Sequence, residues 1–200
     1  MGISVVSANT DGIVVKMTEC QETVCQGIVA DWQNDTDYTL ESTDYQSLNS
    51  RDINNYIAVK EDGVKGKGAF ADQSDRHYQL RSNPACQICS KAVKALLLES
   101  TPIEETIRAS QDVRDFLTLR TVSGGALKDG EYIGKAIRWY YGRHELDAIF
   151  YRTNGNKVPK SEGAVPILQL PDRLPSDLDY SYYIQEAESI LNDIGYNEKG

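Results

Sequence analysis

Two β-branched runs, Val5–Val6 and Ile13–Val15, flank the polar stretch from Ser7 to Gly12. Asn and Asp tolerate unusual backbone angles and Gly supplies positive φ, so Asn9-Thr10-Asp11-Gly12 predicts the turn of a β-hairpin. Thr18-Glu19-Cys20-Gln21 follows as a capping box, and Val24, Ile28 and Trp32 recur at helical spacing. This pattern predicts a helix over about 19–33 that packs its stripe on the hairpin's sheet and ends at Asn34-Asp35-Thr36-Asp37. Tyr38–Glu41 and Tyr45–Leu48 read as extended. Arg51–Lys60 reads as a strand, Glu61-Asp62-Gly63 as a turn, and Val64–Phe70 as the returning strand.

Asp72–Ser82 is polar and predicts a linker, with His77 a surface-loop residue. Asn83-Pro84 opens a helix striped by Ile88, Ala92, Val93, Leu96 and Leu97. Thr101-Pro102-Ile103-Glu104 opens a second through Ile107, and Val113 and Phe116 mark a short third. Leu117–Val122 alternates with period two until Ser123-Gly124-Gly125 breaks it. Lys128–Glu131 is a turn, Ala148–Tyr151 a strand, and Asn154-Gly155-Asn156 another turn. Pro159, Pro166 and Pro171 hold their neighbours to sheet edges or coil. Tyr183, Ala187, Ile190, Leu191 and Ile194 stripe a last helix, with Gly195 at its C-terminal cap. The expected class is therefore α+β: an antiparallel sheet with a packed helix, then a mixed, mostly helical region.

Composition changes this picture little. A hydrophobic share of 40% and a charged share of 26% describe an ordinary globular chain of 200 residues. No apolar run approaches the roughly 20 residues of a membrane span, and Met1-Gly2-Ile3 runs into a strand, so neither a membrane segment nor a signal peptide is expected. The cytoplasm, a host's if the source is viral, is the expected compartment. Cys20, Cys25, Cys86 and Cys89 are read as free thiols, with a four-cysteine zinc site as the alternative.

Charge is more informative. The net charge of −9 argues against a generic nucleic-acid coat. Yet residues 1–50 hold eight acidic residues and one basic, while residues 51–100 hold eight basic and six acidic. Two stretches could carry chemistry. Asp11 at a strand-turn-strand tip could project as a Mg²⁺ ligand, or the turn could simply reverse the chain. In Val64-Lys65-Gly66-Lys67-Gly68, glycines between lysines could admit a phosphate backbone, or the lysines could guard a solvated edge. Further on, Lys135 and Arg138 would share one face if their segment is a helix, and the aromatic residues beside them could be core or nucleic-acid contacts.

A resemblance joins these stretches. Ser7-Ala8-Asn9-Thr10-Asp11-Gly12 resembles the palm motif of family B DNA polymerases, Tyr-x-Asp-Thr-Asp-Ser, whose second Asp binds the catalytic metals. Asp11 matches that position; Asn9 replaces the first Asp and supports the turn with Thr10 and Gly12. Asn54-Asn55-Tyr56 falls where the family's primer-gripping Lys-Lys-x-Tyr should be, with both lysines replaced, and Lys67-Gly68 falls where its second pair should be. Gly134-Lys135-Ala136-Ile137-Arg138-Trp139-Tyr140 is similar to a run in the thumb of bacteriophage members.

The resemblance implies the C-terminal part of a DNA-directed DNA polymerase, with the rest of the palm in residues 1–75 and a thumb in 76–200. It implies a two-Mg²⁺ site held by Asp11 and an Asp from upstream. It further implies primer-template DNA on Asn54, Asn55, Tyr56, Lys65, Lys67, Lys135 and Arg138, and deoxynucleoside triphosphates as substrates. The family's Asp-x-x-Ser-Leu-Tyr motif, its fingers helix and its exonuclease carboxylates do not occur in these 200 residues. An N-terminal polymerase portion is thus an expected partner, without which the chain is expected to be inactive. The alternative is a non-catalytic DNA-binding or accessory protein derived from a polymerase.

Overall fold

The β-branched residues around the Asn9–Gly12 turn form two strands, β1 (Ser4–Ala8) and β2 (Ile13–Lys16). The computed structural model describes residues 2–71 and 85–196. In the hairpin, Val5 pairs with Val15, then the register shifts so that Ser7 pairs with Val14, leaving Val6 as a bulge. Helix α1 (Glu19–Thr36) begins where the capping box predicts: the Gln21 side chain accepts from the Thr18 N–H at 2.9 Å. Asp37, left-handed at φ 59°, ends it.

The expected packing of α1 on the hairpin does not occur. Val24, Ile28 and Trp32 are exposed, and the half-buried side of the helix carries Gln21, Cys25, Val29 and Gln33 instead. Two short strands without a third offer a helix too little apolar surface to bury a stripe. No described residue before Ile57 is buried.

The stretch from Arg51 to Lys60 is two strands rather than one. Strand β3 (Ser47–Asp52) turns at Ile53–Asn54 into β4 (Asn55–Lys60), and β5 (Gly63–Lys67) completes a three-stranded meander of order β3-β4-β5. Asp52 makes the turn: its carboxylate accepts from the Asn54 N–H at 2.9 Å and from the Asn55 side-chain amide at 2.8 and 2.9 Å. These hydrogen bonds, Asn55's first, hold the Asp52 carboxyl below its ordinary range.

The polar linker, His77, the Asn83-Pro84 helix start and the boundary at 75/76 lie outside the described residues. From Gln87 the chain forms helix α2 (Gln87–Glu99), whose Ile88, Cys89, Ala92 and Val93 are buried, and then α3 (Ile103–Ala109), which buries Ile103 and Ile107. A 3₁₀ turn over Val113–Phe116 leads into a four-stranded antiparallel sheet. Its strands β6 (Thr118–Lys128), β7 (Glu131–Tyr141), β8 (Phe150–Tyr151) and β9 (Ala164–Pro166) lie in the order β8-β6-β7-β9. Helix α4 (Tyr180–Asp193), capped by Asp179, closes the fold.

The α+β class holds, with this second region combining three helices and a sheet. Two readings change. Ser123-Gly124-Gly125 does not end β6. It bulges a continuous strand, because both glycines adopt positive φ and the register shifts between Thr121 and Ala126. The segment around Lys135 and Arg138 is not a helix but the long strand β7, paired with β6 from Thr118↔Trp139 to Lys128↔Glu131.

The core lies between α2, α3, α4 and the inner face of β6–β7. Tyr183 is fully buried there; its hydroxyl donates to the Phe116 carbonyl at 2.8 Å and accepts from the Tyr141 N–H at 3.0 Å. Ile57 of β4 and Phe70 join the same apolar cluster, and β4 and β5 pack against α2. Among the described residues no helix is long and apolar enough to cross a membrane.

Candidate metal hairpin and nucleic-acid interface

Asn9 organises the hairpin tip. Its side-chain carbonyl accepts from the Asp11 N–H and the Gly12 N–H, both at 2.8 Å, and its backbone N–H donates to the Gly12 carbonyl at 2.9 Å. This Asx turn fixes the backbone on both sides of Asp11 and leaves its side chain exposed to solvent. Asn9's oxygen is consumed by the turn, so its role is support, and Asp11 is the carboxylate that the tip presents. One rigid, accessible carboxylate fits half of a Mg²⁺ site, since Mg²⁺ takes one or two protein carboxylates with substrate phosphates and water. Among the described residues no three His, Cys, Asp or Glu side chains converge as a metal-binding group.

The strand pair β4–β5 builds the second feature. Tyr56 pairs with Lys67, and Ala58 with Lys65. Paired residues share a face and alternate along each strand, so Tyr56, Lys65 and Lys67 stand together on one side. Ile57, Val59 and Val64 take the opposite side, where Ile57 enters the core. Lys65 and Lys67 are exposed, and the Lys67 ammonium lies 5.8 Å from the centroid of the Tyr56 ring. Neither lysine has a carboxylate within ion-pair distance among the described residues. Lys60, two residues beyond Ala58, shares this face. The sequence reading passed over it, although the period-two alternation points to it.

The glycines and asparagines nearby also serve the fold. A side chain on Gly66 would collide with the Phe70 carbonyl, and one on Gly68 with the Asn54 carbonyl and the Asn55 side chain. The chain's own turns fill the space that the lysine–glycine pattern suggested for a phosphate backbone. Asn55 commits its amide to Asp52, and Asn54 its backbone N–H, so both shape the turn that leads into Tyr56.

Lys135 and Arg138 are exposed but do not share a face. On an extended strand an odd spacing puts side chains on opposite faces. Beside them Trp139, Tyr140 and Tyr141 are buried, as the core reading of these aromatics expects. Tyr140 donates to Asp177 at 3.0 Å, and burial, with that hydrogen bond, pushes its hydroxyl pKa up to about 12. The four cysteines form no metal-binding group among the described residues. Cys86 lies 3.3 Å from the Thr118 hydroxyl and Cys89 donates to the Tyr183 carbonyl, both buried, while Cys20 and Cys25 lie on α1. A hydrogen bond with Cys86, and burial, push the Cys89 thiol well above the usual range, a structural rather than a reactive setting.

No family model, no curated protein and no solved structure matches this chain.

Proposed function

We propose that the chain is the C-terminal palm and thumb portion of a DNA-directed DNA polymerase of family B, inactive alone and completed by a separate N-terminal polymerase portion. The observation that carries this reading is the register of β4 and β5. It brings Tyr56, Lys65 and Lys67 to one side of the strand pair, with both lysines exposed and Tyr56 half-buried, following in chain order a hairpin tip that Asn9 braces and that carries Asp11. A polymerase needs these two functions in this order along the palm: a carboxylate at the reacting end of the primer, and a cationic surface along the duplex behind it.

In this mechanism Asp11 and an upstream Asp of the partner would together hold the catalytic Mg²⁺. Mg²⁺ held there would supply Lewis-acid stabilisation of negative charge on the reacting oxygens. Asn9 keeps the Asp11 backbone in one conformation, so the carboxylate needs no reorganisation when substrate arrives. Lys65 and Lys67 bind primer-strand phosphates, which positions the duplex without reading bases. Tyr56, held beside Lys67, packs against the primer end.

Primer extension with Mg²⁺ and the four deoxynucleoside triphosphates tests the proposal. The purified chain alone should extend nothing, and template-dependent extension by it would refute the partial-enzyme reading. Mixed with the N-terminal portion it should gain activity. In that mixture Asp11→Asn should lower the rate by about 100-fold or more, equivalent to roughly 2.7 kcal/mol. A near-normal rate for Asp11→Asn would remove Asp11 from the site. The lone carboxylate at the tip favours a second reading, a non-catalytic DNA-binding descendant; it wins if the mixture binds primer-template but never extends it.

A further inference from the structure

The first part of the chain presents apolar surface that no described residue covers. Val5, Val6 and Ile13 of the hairpin are more than half exposed, and Val24 and Ile28 of α1 stand at 59% and 60%. Trp32 and Tyr38 stack with ring centroids 6.2 Å apart, and both face solvent. A two-stranded hairpin and a helix without a buried residue have little stability of their own in water. This surface is the kind that a partner covers.

Charge narrows the partner. From residue 2 to residue 44 there are eight carboxylates and a single cation, Lys16. The carboxylates intrude on the apolar stripe itself: Asp31 follows Ile28 by three positions and Asp35 follows Trp32 by three, so both lie on the stripe's face of α1. Neither has an ion pair among the described residues. Covering Val24, Ile28 and Trp32 therefore also desolvates Asp31 and Asp35, which is costly unless the covering surface supplies cations. A second copy of this face would bring more carboxylates, and nucleic acid or an anionic membrane would bring more negative charge. Each is disfavoured by like-charge repulsion.

We propose that the exposed apolar side of α1 is a docking surface for a different polypeptide, whose contacting surface is apolar and carries Lys or Arg opposite Asp31 and Asp35. The stacked Trp32–Tyr38 pair is the anchor, as large aromatic residues are at the centres of protein interfaces. The identity of the occupant rests on the function proposed above: it is the N-terminal polymerase portion, and the helix it docks on, α1, follows the Asp11 hairpin directly in the chain. The interface and the metal site would form in one event.

Binding of the full chain to the N-terminal polymerase portion, measured across a salt series, tests this. Val24→Asp with Ile28→Asp should weaken binding by more than about tenfold, because both side chains are exposed in the free chain and buried only in the complex. It should leave the thermal unfolding of the chain unchanged, since α1 contributes no buried residue. Asp31→Asn with Asp35→Asn should weaken binding less and flatten its salt dependence. Wild-type affinity in both double variants, or no complex at micromolar concentrations, would overturn the proposal. Sedimentation of the chain alone should give a monomer; a dimer abolished by the Val24→Asp, Ile28→Asp pair would assign the face to a second copy instead. Asp11→Asn separates this inference from the function it rests on. A complex that is sensitive to the α1 variants but shows no Asp11-dependent extension would sink the polymerase reading and leave the docking face standing.

Discussion

Gly68 sits at φ 65°, with the Asn54 carbonyl and the Asn55 side chain where a Cβ would go. Replacing it with Ala meets both a left-handed backbone and a collision. Gly68→Ala should therefore destabilise the protein by about 1 kcal/mol or more, read as a lower midpoint in thermal unfolding. An unchanged midpoint would show that the Asp52–Asn55 turn yields freely. The contrast with Asn9 is instructive. Asn9's role was legible because its partners, Asp11 and Gly12, are its near neighbours in the chain. Gly68's was not, because the atoms it makes room for belong to a turn more than ten residues earlier, and a glycine's sequence neighbours do not say what approaches it in space.

Strands β4 and β5 show how much an element adds to its residues. Their alternation was visible, and with the Glu61-Asp62-Gly63 turn it defines the pairing that puts Tyr56, Lys65 and Lys67 on one face. If both lysines touch phosphate, Lys65→Ala with Lys67→Ala should lower the log–log salt slope of primer-template binding by up to about 2, since each contact releases roughly 0.9 of a counterion. Tyr56→Ala should weaken binding with little change of slope. Fluorescence anisotropy on a short primer-template measures both. Identical curves for the double lysine variant and wild type at every salt concentration would reduce this face to a solvated edge. Strand β7 teaches the opposite lesson. Lys135 and Arg138 share a face on a helix and divide on a strand, and the apolar run around them suits either period. Pairing with β6, eleven residues long, decides for the strand.

Across the whole molecule, one apolar cluster joins Ile57 and Phe70 to α2, α4 and the β6–β7 sheet, and Arg51 of β3 reaches Asp193 of α4 at 3.8 Å. The two regions that the sequence divides at 75/76 thus share a core. A cut in the polar stretch, after Arg76 or Arg81, should leave two pieces that co-elute in gel filtration without denaturant. Separation of the pieces would show that these contacts do not hold the regions together.

The elements that were legible are those with local causes. The Asx turn at Asn9, the capping box at Thr18, the stripe of α2 and the cap at the end of α4 each rest on residues within one or two turns of chain. Whether a stripe is buried has no local cause. Val24, Ile28 and Trp32 have the spacing of a core face, as Ile88, Ala92 and Val93 do, yet the first set is exposed and the second buried. The difference is what stands opposite: α2 faces α3, α4 and the β3–β5 sheet, whereas no described element packs closely on α1. Periodicity states which side of an element is apolar. Burial needs a second surface, and which surface arrives is decided by long-range packing.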